Sequence, residues 1–252
     1  MSSELPLPAW SLLREVGAIL YMHMRDFFFW LPRRVRGSRT WSGNLRRNGV
    51  SNLGRLSPEA TMQLSSLVED RCSGHPVRES GADCRIWGLH EDPNCSKWFD
   101  ENFYRLALKP FEPRWRVATL MGNCVPNEIE SVGSGGGWHR DSNFPQYKIM
   151  IMLSDVDSET DGAFAFVPRS HRLQYVLQTF NLDGRWKRCK TRWTASEVLD
   201  LSQLPSIVTG KAGDVFAFNG ALLHCGLPNL GTRPRKALTF YLFPNGEAPP
   251  HL

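Results

Sequence analysis

Ser131-Val-Gly-Ser-Gly-Gly-Gly-Trp-His-Arg-Asp-Ser142 carries a histidine and a carboxylate two residues apart, His139 and Asp141, directly after a run of glycines. On an extended strand successive side chains point to opposite faces, so His139 and Asp141 share one. A neutral imidazole and a carboxylate aimed at one point are two of the three groups of a facial triad. That 2-His-1-carboxylate set holds non-haem Fe(II) and leaves coordination positions open. Gly135-Gly136-Gly137 cannot sustain a helix and would weaken a strand interior, so it predicts a tight loop at the rim of a site.

An H-x-D pair alone is a weak signal, and its context lies downstream. Gly213-Asp-Val-Phe-Ala-Phe-Asn219 reads as a turn and a buried strand, followed by Gly220-Ala-Leu-Leu-His224. His224 is the candidate third ligand. Eleven residues later Arg235 opens the β-prone run Arg235-Lys-Ala-Leu-Thr-Phe-Tyr-Leu-Phe243. A guanidinium is the side chain best shaped to grip a carboxylate with two bonds. Thr239, four residues on, points to the same face. Lys148, in the apolar run Gln146–Leu153, has two readings: an edge residue snorkelling to water, or a second cation near carboxylates. An iron triad with a strand-borne Arg is what an oxygenase using 2-oxoglutarate needs, the metal taking the keto-acid end and the Arg the far carboxylate.

These residues resemble the phytanoyl-CoA dioxygenase family. The likeness rests on Trp138-His-Arg-Asp141, the strand ending Leu153-Ser-Asp-Val156, Gly162-Ala-Phe-Ala-Phe-Val-Pro-Arg-Ser-His171, His224-x-Gly226-x-x-Asn229 and Arg235-Lys-Ala237, and runs from Leu45 to Phe243. One departure stands out: Pro168-Arg169-Ser170-His171 has Arg169 where the family usually has glycine. The resemblance implies a mostly β (α+β) domain, a double-stranded β-helix of jelly-roll or cupin-like form with flanking helices. It implies Fe(II) on His139, Asp141 and His224. It further implies 2-oxoglutarate on the iron and Arg235, with Lys148 and Thr239 as further candidates, and O2 as co-substrate with ascorbate in support. The implied outcome is hydroxylation of a small molecule, with a lipid-like compound or a natural product as the alternatives for substrate class, and release of succinate and CO2. Desaturation, cyclisation or epimerisation with the same cofactors is the alternative, and a non-catalytic metal- or ligand-binding barrel the more remote one. Trp138, Arg140, Phe144, Trp186 and Trp193 are candidates for the substrate mouth.

Composition sets further bounds. The chain has 252 residues, 41% of them hydrophobic, enough for a sizeable core in one catalytic domain with an appendage. Residues 1–50 hold 8 Arg against 3 acids, and residues 51–252 hold 22 charges of each sign, so the formal net charge of +5 lies in the N-terminal fifth. The rest is neutral and carries no basic stripe interleaved with aromatics, which speaks against nucleic acid as a partner. Six Cys without a C-x-x-C suit free thiols in a reducing cytoplasm. Cys225, next to His224, faces the other way on a strand and is set aside as a ligand. The acidic loop Asp155–Gly162 matches no EF-hand spacing and reads as a solvated turn.

Residues 1–43 read as an amphipathic helix and an Arg-rich linker, and 44–252 as the dioxygenase domain. Leu12, Leu13, Val16, Ile19, Leu20, Met24, Phe27 and Phe28 recur at helical period, with Pro32 as the expected stop. Arg14, Glu15, Arg25 and Asp26 leave nine uncharged residues between them, where a bilayer span needs about 20. Either the helix packs on the barrel, or residues 10–39 make peripheral contact with a membrane. Ser57-Pro58-Glu59 predicts a capped helix with Leu64, Leu67 and Val68 inward, and a second helix is expected over 96–108 with Phe99, Phe103 and Leu106 inward. Strands are expected at Val50, from Trp115 to Met121 with Trp115, Val117, Thr119 and Met121 on one face, at 128–132, over 146–153 and over 163–167. Residues 171–180 and 196–204 read as helices and 181–194 as a basic lid. The spacing leaves oligomeric state open.

Overall fold

The computed structural model describes residues 9–35, 40–73, 83–112, 114–127, 137–182 and 204–244. The expected strand at 128–132, helix at 196–203 and lid at 183–194, with Trp186 and Trp193, lie outside them.

Two antiparallel sheets make the body. The larger has six strands in the order β1 (Val50–Arg55), β7 (Asp214–Asn219), β4 (Tyr147–Met152), β9 (Arg235–Pro244), β3 (Trp115–Val125) and β2 (Cys84–Ile86). The smaller runs β6 (Ser206–Val208), β5 (Phe164–Phe166), β8 (His224–Gly226), and an isolated bridge from His139 to His224 extends it. This is the expected jelly-roll.

The larger sheet is apolar on both faces, so its central strands read as continuous hydrophobic runs. Ile149 and Ile151 of β4, Val215 and Ala217 of β7, and Leu238, Phe240 and Leu242 of β9 face one way. There they meet Leu64 and Val68 of α3 (Pro58–Ser73) and Trp30 of α1 (Ala9–Val35). The alternate residues Met152, Phe216 and Phe218 face the smaller sheet and pack on Phe164 and Phe166. The site therefore lies on the inner face of a sheet whose outer face is held by helices.

Local chemistry explains most element ends. The Ser57 hydroxyl accepts from the Ala60 amide at 3.2 Å and caps α3. The single helix expected over 96–108 is instead broken into α4 (Pro93–Ser96), α5 (Glu101–Phe103) and a π-turn from Tyr104 to Leu108. Asp92 and Asp100 each cap a new turn, accepting from Asn94 and Phe103 amides, and Leu106 faces solvent. In β3 the expected alternation fails because the register shifts between Val117 and Thr119. The bulge turns Leu120 outward to the helices and Met121 inward against Tyr241.

Helix α1 continues past Pro32 to Val35, although the proline removes one amide donor and its ring crowds the carbonyl four residues back. α2 (Thr40–Asn48) leads into β1, and α6 (Leu173–Leu182) follows β5. Trp30 Nε1 donates to the Tyr147 hydroxyl at 2.9 Å, and that hydroxyl donates to Asp26 at 2.9 Å. The Pro168-Arg169-Ser170-His171 turn keeps the shape that glycine would give it: Arg169 takes φ 70°, in the left-handed region. A side chain there costs about 1–2 kcal/mol.

Two stability measurements follow. Arg169→Gly should raise stability by up to about 1 kcal/mol in denaturant unfolding, because only glycine meets that φ without crowding, less the entropy glycine loses on folding. A destabilised variant would mean that Arg169 side-chain contacts outweigh the strain. Burial raises the Asp26 carboxyl to about 6, against the opposing pull of the Tyr147 hydroxyl and Arg114. The unfolded chain loses that proton near pH 3.9, so between about 4 and 6 the folded state binds more protons and stability falls as pH rises. Asp26→Asn cannot ionise and keeps an acceptor for Tyr147. It should gain up to about 3 kcal/mol near pH 7.5 and nothing below pH 4.

Candidate metal and co-substrate site

His139 and His224 are 85 residues apart in sequence and adjacent in space, because their backbones exchange both hydrogen bonds, each 2.9 Å. That reciprocal pairing sets the two side chains side by side on one face, with ring centroids 4.5 Å apart. The Asp141 amide donates to the Gly220 carbonyl at 2.9 Å, which holds the carboxylate next to both rings.

The tautomers are set locally. His139 Nδ1–H donates to the Gly137 carbonyl at 2.9 Å, and His224 Nδ1–H donates to the Leu222 carbonyl at 2.8 Å. Both Nε2 atoms therefore face Asp141, at 3.9 Å from Oδ1 for His139 and 3.3 Å from Oδ2 for His224. Gly137 supplies its carbonyl from φ 77°, a use of the glycine run that strand alternation did not suggest. Burial first, and then the neighbouring His224, lower the His139 imidazole to about 4, so it is neutral at physiological pH. Burial alone would raise the Asp141 carboxyl; Lys148, then His224 and His139, overcome it and hold it well below the usual range.

His139, Asp141 and His224 offer one ligand atom each, all within 4.8 Å of one another. Ligands about 2.1 Å from one ion in a facial array stand about 3 Å apart, so the set fits a divalent metal with only small inward shifts. Cys225 turns away into a separate cluster with Trp138, Ala165, Val167 and Leu223. His171 is no ligand either: its Nε2–H donates to the Arg46 carbonyl at 3.0 Å.

Lys148 is on a central strand and does not snorkel. It is buried, with its ammonium 2.7 Å from Asp141 Oδ2 and 4.2 Å from the centre of the Tyr241 ring. Farther along the inner face of β9, Arg235 Nη2 donates to Asn123 Oδ1 at 2.8 Å. Asn123 Nδ2 donates to Asp83 at 2.8 Å, and Asp83 also accepts from Arg85 Nε at 2.8 Å. This chain orients the guanidinium, and sequence reading missed all three of its supporting members. Arg235 Nε and Thr239 Oγ1 are buried without a hydrogen-bond partner among the described residues. Two unmet donors four residues apart on one strand face fit an anionic ligand such as a carboxylate. Gly162, at φ 73°, makes room for them: a Cβ there would lie 3.2 Å from Arg235 Cδ.

The candidate mouth residues divide. Phe144 follows Asp141 in a half-buried loop. Trp138 does not line a mouth; it is buried in the cluster with Cys225. Arg140 is buried too, donating to the backbone carbonyls of Ser170, at 2.7 Å, and Ala221. The alternation that unites residues 139 and 141 sends 138 and 140 to the opposite side.

The model of the family described as Phytanoyl-CoA dioxygenase (PhyH) matches residues 85–237. No curated protein sequence matches the chain. Among solved structures, the epimerase SnoN in complex with Fe3+, alpha ketoglutarate and nogalamycin RO is 14% identical, with 81% of this chain and 82% of that chain covered and a TM-score of 0.63. HygX from Streptomyces hygroscopicus, with nickel, 2-oxoglutarate and hygromycin B bound, is 19% identical over 82% of this chain and 87% of that chain, with a TM-score of 0.60. The carbocyclase SnoK from nogalamycin biosynthesis is 19% identical over 82% and 87%, with a TM-score of 0.57. At these identities the likeness is one of fold.

A site with three ligand atoms cannot lose one without loosening the ion. Asp141→Ala and His224→Ala should each weaken Fe(II) by more than about 100-fold in anaerobic isothermal titration, since even outer partners of metal ligands are worth 10–100-fold. Wild-type affinity in either variant removes that residue from the metal site.

Proposed function

Because the chain belongs to the phytanoyl-CoA dioxygenase family of iron- and 2-oxoglutarate-dependent oxygenases, we propose that it hydroxylates an unactivated C–H bond of a small-molecule substrate, releasing succinate and CO2. The observation that carries this reading is the pairing of the His139–Asp141–His224 cluster with the unmet donors of Arg235 and Thr239. A barrel that merely stores a metal needs no second, carboxylate-shaped site.

Bound Fe(II) with 2-oxoglutarate and O2 supplies oxidative decarboxylation and the power to attack a C–H bond, and ascorbate keeps the metal reduced. The chain's own residues do the rest. His139 and His224 present their Nε2 atoms to the metal position, each ring held by its Nδ1–H bond. Asp141 supplies the anionic ligand, and Lys148 balances its charge from the side. Arg235, aimed by Asn123 and Asp83, receives the far carboxylate of 2-oxoglutarate, and Thr239 donates its hydroxyl to the same group. Phe164 and Phe218, each with its ring centre 5.3 Å from that of His224, keep water from the ligand side. Substrate orientation then decides which hydrogen is taken.

Epimerisation or ring closure with the same cofactors is the second reading, favoured by the structural likeness to an epimerase and a carbocyclase. Mass spectrometry separates the outcomes. Hydroxylation adds one oxygen atom derived from labelled O2, desaturation and cyclisation remove two hydrogens, and epimerisation leaves the mass unchanged. Succinate released without any change in added substrate would point to uncoupled turnover on the wrong compound.

Arg235 acts on the co-substrate and not on the metal. A charge-assisted pair in a buried pocket is worth about 1.5–3 kcal/mol, so Arg235→Leu should raise the KM for 2-oxoglutarate by about 10- to 100-fold with Fe(II) affinity unchanged. Loss of Fe(II) binding in this variant, or an unchanged KM, sinks the assignment.

A further inference from the structure

We propose that the outer face of α1 is a docking surface for an anionic bilayer. The helix has two apolar arcs. The inner one carries Ile19 and Trp30 into the core, together with His23 and Asp26. The outer one is formed by Leu13, Leu20, Tyr21, Met24, Phe27 and Phe28, all exposed, from 43% for Leu20 to 73% for Leu13. At about 100° per residue these six fall within roughly 120° of arc. Singly exposed apolar residues are ordinary, but six on one stripe of one helix are a patch.

Charge identifies the occupant. Arg14 and Arg25 are exposed along one border of the stripe, and Arg25 rests over the Tyr21 ring at 5.4 Å. On the other flank His23 Nε2–H donates to the Asn143 carbonyl, in the loop that follows Asp141. Beyond it lie His171 and a group of four guanidinium groups from two chain segments, Arg46 and Arg47 with Arg169 and Arg172. Arg172 Nη2 donates to the Arg47 carbonyl at 3.3 Å, which keeps the segments together despite like charge. The sequence adds Arg33, Arg34, Arg36 and Arg39 directly after the stripe. Asp26, the acid nearest the stripe among the described side chains, is turned inward to Tyr147.

An aromatic and aliphatic stripe bordered by cations of one sign suits the boundary between anionic headgroups and acyl chains. A second copy of the chain suits it poorly, because pairing this face with itself brings arginines of like charge together. The helix lies on the bilayer and does not cross it, as no helix among the described residues is long and apolar enough to span.

The test uses the full chain and vesicle flotation. Wild-type protein should rise with vesicles of phosphatidylcholine containing a third phosphatidylglycerol, and much less with pure phosphatidylcholine or in high salt. The double variant Phe27→Glu, Phe28→Glu should lose at least about tenfold of that binding, with its melting temperature and Fe(II) affinity unchanged. Equal flotation of wild type and variant overturns the proposal, and so does wild-type protein that stays with the buffer. A wild-type dimer in light scattering that the variant turns into monomer, without flotation, would assign the stripe to a second copy instead. Should the double variant fail to fold, Met24→Ser with Leu20→Ser reads the same stripe, and unchanged flotation there counts equally against it.

Discussion

Two backbone hydrogen bonds between His139 and His224 carry the site. They are ordinary antiparallel bonds of 2.9 Å, yet they join residues from opposite halves of the domain and fix both rings on one face. All else at the metal position follows from that registration. Asp141 arrives because it lies two residues on, and its amide is caught by Gly220, four residues before His224. Each imidazole is turned by a carbonyl two residues upstream in its own chain segment, so neither tautomer depends on a distant partner. A one-residue slip of this bridge would send His139 outward and Trp138 inward.

The larger sheet turns this local arrangement into a site with a rigid wall. Its outer face is locked by α1, α3 and the helical turns over 89–111, which leaves the inner face free to carry polar groups. Lys148, Thr239 and Arg235 all sit there, on strands β4 and β9 that are paired along their length. Buried polar groups on central strands are costly unless matched. Lys148 is matched by Asp141, and Arg235 in part by Asn123. The groups left unmet, Arg235 Nε and Thr239 Oγ1, are the ones a bound anion would satisfy.

Much of this was legible in the sequence, because it follows from period. Alternation alone unites His139 with Asp141 and Arg235 with Thr239, and separates Cys225 from His224. The same rule, carried one residue either way, excludes Trp138 and Arg140 from the mouth; composition drew attention to them where periodicity should have decided. The Arg85–Asp83–Asn123 chain was not legible. Its members occupy strand β2, the residue just before it, and strand β3, and no local pattern links them. The bulge in β3 was equally hidden, since Val117 to Thr119 carries no glycine or proline to mark it. For α1 the period disclosed a helix but not its orientation. With apolar residues on two arcs, it is the Trp30–Tyr147–Asp26 contacts, buried Ile19 and the His23–Asn143 bond that show which side faces the core.

The charges on the inner face impose one more constraint. Lys148 and Arg235 face it as cations; Asp141 pairs directly with Lys148, while Asp83, shared with Arg85 and Asn123, acts on Arg235 from farther off. A divalent ion placed on His139, Asp141 and His224 adds to a surplus of positive charge and competes with Lys148 for Asp141 Oδ2. A dianionic co-substrate held by Arg235 would offset part of that surplus and would offer Lys148 a second acceptor beside Asp141. Each would therefore improve the electrostatic setting of the other, and such coupling is reciprocal by thermodynamic necessity. The buried ammonium that looked misplaced in an apolar strand would thus be the group through which a bound metal and its co-substrate sense one another.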